Sequence, residues 1–175
     1  MPASAADNPW LKMALNNAWA NATLYATLAG LDRETFTAPR PGFFPSLAAT
    51  MNHILEVDLY YLDALEAGGE GRGVYDRQPL ENPKDLAARQ AEADLRFARL
   101  SGALDETALS APCTTERATG PVTETVANVI LHLVQHQIHH RGQAHAQLSH
   151  AGIAPPQLDE FYLDFDRAQS AKAYW

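Results

Sequence analysis

The chain holds a single cysteine, Cys113, among its 175 residues. One thiol cannot form an internal disulfide or a Cys-rich zinc module, and such scarcity fits a reducing compartment. Basic residues are also few: 13 Lys and Arg stand against 21 Asp and Glu, a formal net charge of −8. That balance argues against nucleic acid and anionic membrane surfaces as partners, and no basic stripe or recognition helix offsets it. No apolar run approaches the roughly 18 to 20 residues that a membrane-spanning helix needs. Met1 to Asp7 carry neither the basic nor the apolar region of a signal peptide, so the expected location is cytoplasmic. Internal repeats and low-complexity runs are missing too. What is present is an ordinary share of hydrophobic residues, 46%, enough for one buried core in a single domain spanning residues 1–175.

Punctuation divides the chain into four helical segments. The first opens at Asn8-Pro9, a cap residue followed by proline at the first helical position, and runs to about Gly30. A loop with Pro39, Pro41 and Gly42 follows, carrying the exposed-looking pair Phe43-Phe44. The second segment runs from Pro45-Ser46 to Gly68-Gly69, and the third from Asn82-Pro83 to Leu104. Residues 105–121 are irregular, because Thr, Ser, Pro and Gly interrupt every period, and a hairpin around Cys113-Thr114-Thr115 is too brief to assign. The fourth segment, Thr123 to His150, is stopped by Gly152 and Pro155-Pro156. In the tail, Phe161, Tyr162, Leu163 and Phe165 are expected to fold back on the helices, since an exposed aromatic tail invites aggregation. Four long helices with little strand signal read as an all-α four-helix bundle. Leu55, Leu59 and Leu62 extend the apolar surface of the second helix beyond one stripe and suggest a second buried face.

Five of the seven histidines fall between residues 132 and 145 of the fourth segment. With His136 at zero and about 100° per residue, Val122, Val126, Val129 and Leu133 lie between about 20° and 80°. His140, at about 40°, lies inside this stripe, and His136 sits on its edge. His132 and His139 fall at or beyond the margin, near −40° and −60°, while His145 points about 180° away. His53 on the second segment shares a face with Thr50, Val57, Tyr61 and Ala64. Three imidazoles from two helices are thus expected in one apolar interior, where each unpartnered ring costs a few kcal/mol. A divalent metal satisfies all three and keeps positions open for water or substrate. An HxxxH pair alone is a weak signal, since interior histidines are commonly core residues bonded to a neighbour. With the third histidine, metal binding and a satisfied core cluster stand level. His132, His139, His145 and His150 read as surface or supporting residues.

The run His136-Gln137-Ile138-His139-His140-Arg141-Gly142-Gln143 resembles the HxxxHHRGQ signature of the DinB/YfiT-like metalloenzyme family. Thr50-Met51-Asn52-His53-Ile54, followed by Asp58, is similar to that family's TxNHI…D stretch, and Asn17-Ala18-Trp19-Ala20-Asn21 to its YNxWAN segment. Asn16 stands where the family has tyrosine. The likeness runs over about residues 8–165. It implies an up-down-down-up bundle, a homodimer, and Zn or Ni held by His53, His136 and His140. It also implies, from some relatives, transfer of a low-molecular-weight thiol to an electrophilic small-molecule substrate.

Gln143, at about −20° and one turn beyond His140, can orient a histidine or reach a metal-held water. Gly142, costly inside a helix, reads as permitting close helix contact. Arg141 points away from the site and suits pairing with an acid such as Asp58. Cys113 has no local base to activate it. The missing glutamate of HExxH disfavours a metallopeptidase, which leaves three readings: a thiol transferase, a metal-dependent hydrolase with Asp58 or Glu56 as base, or a non-catalytic metal-binding stress-response protein.

Overall fold

The computed structural model describes residues 8–165 and 167–174, so the Met1–Asp7 stretch lies outside it. Helix α1, Pro9–Leu28, begins where Asn8 Oδ1 accepts the N–H groups of Trp10 and Leu11 at 3.0 Å. A short α2, Arg33–Thr37, precedes α3, Leu47–Leu65, whose first turn is capped by the Ser46 hydroxyl. Helix α4, Pro83–Ala103, repeats the cap-plus-proline start at Asn82. These side chains take up amide donors that the first turn of a helix leaves without partners. A one-turn α5, Glu106–Ser110, leads into strands β1, Pro112–Arg117, and β2, Gly120–Thr125, and then α6, Val126–His150.

Contacts along the helices give their directions. Asn8 meets Ser101, while Asn17 and Asn21 meet Asp94, so α1 and α4 are antiparallel. Asn52 meets Leu80, Asp58 meets Gln90 and Glu66 meets Arg96, so α3 and α4 are parallel. Thr50 meets Gln147 and Tyr61 meets His132, so α3 and α6 are antiparallel. The bundle is therefore up-down-down-up. The parallel α3–α4 pair needs a long return, which residues 66–82 supply, with a 3-10 turn at Gly71–Asp76 packed against α3.

The segment read as irregular is an antiparallel hairpin, with Pro112 opposite Thr125 and Arg117 opposite Gly120. Only β1 alternates, burying Cys113 and Thr115, whereas β2 is largely exposed. Half of the ribbon thus lacks the period that marks a strand in sequence. Thr123 consequently belongs to β2, α6 starts at Val126 under a Thr125 cap, and Val122 is an exposed strand residue rather than part of the helical stripe.

The tail does fold back: Phe161 is buried against Trp19 with ring centroids 5.7 Å apart, although Leu163 and Phe165 stay exposed. Leu55 and Leu62 are buried within the chain itself. The second apolar face of α3 is therefore covered by its own neighbours, and the homodimer expectation rests on the family resemblance alone. Gly142 is exposed, and a Cβ built on it meets nothing within 4 Å, so it serves no close helix contact.

Polar side chains fill the middle of the bundle. Arg141 Nη1 donates to Asn17, Asn21 and Gln137; Asn17, Asn21 and Gln90 donate to Asp94; Gln90 and Gln137 donate to Asp58. These residues, all buried, close a ring through α1, α3, α4 and α6. Arg141, buried at the centre, is its single cation. It reaches Asp58 through Gln137 rather than by a direct bond. Burial lowers the Arg141 guanidinium to about 10, still charged at neutral pH. Burial raises Asp94 to about 6 and pushes Asp58 well above the carboxylate range, with the Asp94 charge adding to the push on Asp58.

One counter-charge for Arg141 is therefore essential and the other is not. Asp94→Asn is expected to destabilise the fold by about 3–5 kcal/mol, because it strands a buried cation. Asp58→Asn keeps an acceptor for Gln90 and Gln137 and is expected to cost about 1 kcal/mol. Urea unfolding at neutral pH measures both, and the reverse order would show Asp58 to be the operative anion.

Candidate metal centre

His53 projects from the middle of α3, and His136 and His140 from adjacent turns of α6. Ring centroids lie 4.9 Å apart for His53–His136, 4.6 Å for His53–His140 and 4.3 Å for His136–His140. One nitrogen from each ring lies within 4.8 Å of the others, so the three histidines can hold a metal ion. The rings do not enter the bundle axis, as the sequence suggested. They line a groove along the α3–α6 seam, where His140 is buried while His53 and His136 are half-buried. The reason is angular: residues five apart on a helix are about 140° apart. Each helix therefore presents histidine to the groove and, five residues on, Asp58 or Arg141 to the interior.

The donors suit a divalent cation. His53 Nε2 and His136 Nε2 face each other at 3.0 Å, close to the separation of two ligands each about 2.0–2.1 Å from one ion. The buried Nδ1 of His136 has no hydrogen-bond partner among the described residues. On His140, Nδ1 lies 2.8 Å from Gln143 Oε1, while Gln143 Nε2 lies 3.0 Å from His139 Nε2. Since the Gln143 amide donates to His139, its oxygen accepts the His140 Nδ1–H and leaves Nε2 with its lone pair. Burial, reinforced by the neighbouring His140, lowers His53 to about 4; burial and the surrounding histidines lower His136 to about 3. Both rings are neutral electron-pair donors at neutral pH.

Aromatic rings wall the site. Phe44 packs 4.5 Å from His53 and 5.6 Å from His140. It is held there by Gln147, whose amide donates to the Phe44 carbonyl at 2.8 Å and whose oxygen accepts from Thr50 at 2.8 Å. Phe43 is 77% exposed at the rim, where it packs edge-on against Phe44 with ring centroids 4.9 Å apart. The groove has a volume of about 410 Å³ and is completed by Val57, Tyr61, Tyr75, Arg117, His132 and His139. A larger groove of about 820 Å³ between α1 and α4 is walled mainly by alanines and lies away from the histidines. Chemistry favours the smaller one.

Other candidates fall elsewhere. Asp58 is sealed in the interior ring, and Glu56 lines not the groove but the adjoining cavity on the other side of His53. Cys113 is buried on β1, and burial pushes its thiol up, away from reactivity. His145 lies on the far side of α6 near Asn16 and Tyr162, and His150 is exposed. Arg117, Tyr75, Phe44 and Gln147 were not anticipated as parts of the site. Gln147 was within reach, being seven residues beyond His140 on the same helical face. Arg117 and Tyr75 come from connecting segments and carry no comparable signal.

A sequence model of the DinB family matches residues 1–171. The chain belongs to the DinB family. A curated relative, Protein DinB of Bacillus subtilis (strain 168), is 25% identical over 166 residues, covering 89% of this chain and 94% of its own. The DinB fold is also that of a DinB-like protein from Bacillus cereus solved by crystallography. That structure has a TM-score of 0.61 at 18% identity, over 79% of this chain and 90% of the other.

The depressed histidines of this DinB-family site give a direct prediction. In chelator-treated protein, the imidazole NMR signals of His53 and His136 should remain those of the neutral ring down to about pH 4 and about pH 3. Since folding depresses both, their contribution to stability is present above about pH 6.5 and is lost progressively as pH falls to about 4 for His53 and about 3 for His136. Titration of either ring near pH 6.5 would contradict the burial seen here.

Proposed function

We propose that this DinB-family chain binds a divalent metal, Zn or Ni, through His53, His136 and His140, and transfers a low-molecular-weight thiol to an electrophilic small-molecule substrate. The observation that carries the reading is a group of three neutral imidazole donors on an open groove, which no fourth His, Cys, Asp or Glu joins among the described residues. Structural zinc is closed by four protein ligands, whereas three leave room for an exchangeable one. A divalent ion held there supplies Lewis acidity, which favours the ionised form of a sulfhydryl.

The chain's own residues do the rest. Gln143 fixes the tautomer of His140, so its Nε2 is always presented as a donor. Phe44 keeps water from one side of the rings, and Phe43 borders the opening. In the transfer itself, the sulfur–carbon bond forms as the bond from carbon to the leaving group breaks. The thiol proton departs with the leaving group. The buried Cys113 plays no part, because the nucleophilic sulfur comes from the co-substrate.

Hydrolysis is the weaker reading. No carboxylate lines the groove, and the two acids that the sequence offered as bases lie outside it. An incoming thiol, once acidified, needs no such base.

Two measurements test the proposal. Ala substitution of His53, His136 or His140 should release most of the bound metal, as read by elemental analysis, while His145→Ala should retain it. Equal loss from all four variants would remove the ligand assignment. In cobalt-substituted protein, a small thiol at millimolar concentration should produce a sulfur-to-cobalt charge-transfer band that His136→Ala abolishes. Should no thiol perturb the spectrum, the transferase reading fails and hydrolysis takes its place.

A further inference from the structure

We infer that the groove contains a carboxylate-binding subsite built on Arg117, so that the thiol it accepts is one carrying a carboxylate several atoms from its sulfur. The sulfur end of this inference rests on the thiol reading above; the carboxylate end rests on Arg117 and its surroundings.

Arg117 is the sole lysine or arginine among the groove's lining residues, and no Asp or Glu lines it. Its guanidinium carbon stands 5.9 Å from the Tyr60 ring centroid and 5.6 Å from that of Tyr61. Nη2 donates to the Tyr61 hydroxyl at 3.1 Å. Nη2 also forms a long ion pair with Glu124 Oε2 at 4.0 Å, beyond hydrogen-bonding distance and between two partly exposed side chains. Among the described residues none of its other donors is hydrogen-bonded. Rings thus hold the planar head by attraction to its positive charge, while N–H groups at its edge stay available. Two parallel N–H groups in one plane match the two oxygens of a carboxylate, a pairing about twice as strong as a neutral hydrogen bond.

The backbone that carries it is anchored. Arg117 ends β1 beside the hairpin turn, opposite Gly120. The preceding residue, Glu116, has its carbonyl bonded by the Tyr60 hydroxyl, and its carboxylate receives the Arg72 N–H at 3.4 Å. Through Glu116 the hairpin is therefore tied to α3 and to the Gly71–Asp76 turn, next to Arg117. From the histidines, the route to Arg117 runs along ring contacts: His136 to His132 at 6.1 Å, His132 to Tyr61 at 5.0 Å, then Tyr61 to the guanidinium at 5.6 Å. These contacts bound the span between the two ends of the groove, and the chain-length series below measures the length that fits. In a chain with a net charge of −8, the single basic residue lining the groove selects for anionic ligands there and not over the surface at large.

The test measures dissociation constants of the metal-loaded protein by titration calorimetry. The probes are ω-mercaptoalkanoates of increasing chain length and the ω-mercaptoalcohols that match them. Wild type should bind the acid of fitting length about tenfold or more tightly than its alcohol. Arg117→Met, which keeps the stem over the tyrosines, should abolish that preference and leave alcohol affinity unchanged. Tyr61→Phe, which removes the hydroxyl that orients the guanidinium, should reduce it partly. Equal binding of acid and alcohol by wild type overturns the carboxylate subsite and leaves the thiol reading standing. If neither series binds, the thiol reading has failed, and the subsite is judged with hexanoate on metal-free protein. A shift of the Arg117 guanidinium NMR signal that saturates with hexanoate then upholds it, and no shift overturns it.

Discussion

Arg141 carries a positive charge into the centre of four helices, and the rest of the architecture answers to it. A buried cation is tolerable only where counter-charge and hydrogen bonds meet it. Asn17 and Asn21 come from α1, Asp94 and Gln90 from α4, Asp58 from α3 and Gln137 from α6 itself. Hydrophobic burial would accept many rotations of these helices, because apolar contact has no direction. Hydrogen bonds do have direction, so the ring permits one rotation of each helix. That is why polar groups occupy a region that Leu and Ile would fill at lower desolvation cost.

The same constraint aims the histidines. Gln137 and Arg141 follow His136 and His140 directly, so seating the polar pair inward turns the imidazole pair towards the α3–α6 seam. Asp58 does the same for His53 on α3. The interior ring and the groove are two faces of the same helices, one neutralising a charge and the other presenting electron pairs. A relay of His139, Gln143 and His140 then selects one tautomer, and Thr50, Gln147 and Phe44 fix the covering loop. The proposed ligands therefore need no large rearrangement to act together.

At the hairpin end of the groove the forces are of another kind. Tyr60 and Tyr61 hold Arg117 by their faces and by one hydroxyl, while burial and these tyrosines raise Tyr75 to about 12, keeping it a neutral donor at neutral pH. One end of the groove thus offers neutral nitrogen donors and the other a guanidinium cation. A ligand that engages both must be bifunctional, which is a stronger demand on its structure than either end makes alone.

The helices were legible from the chain because capping and periodicity are local. Asn8-Pro9, Ser46 and Asn82-Pro83 mark starts that the structure keeps to within a residue or two. The grouping of His53, His136 and His140 was legible for a related reason, since helical spacing keeps i and i+4 together and bundle packing brings two such faces into contact. The β-hairpin was not, because β2 is largely exposed and so lacks alternation. Which way the histidines face was misjudged as inward, since a wheel drawn for one helix cannot reveal that Arg141 has claimed the interior. Arg117 and Tyr75 were equally out of reach: they arrive from segments remote in the chain, and nothing in their neighbours' identity records the meeting. Local geometry propagates over one turn and is written in adjacent residues. The balance of a buried charge and the lining of a groove depend on four elements closing at once, and that closure exists only in the folded chain.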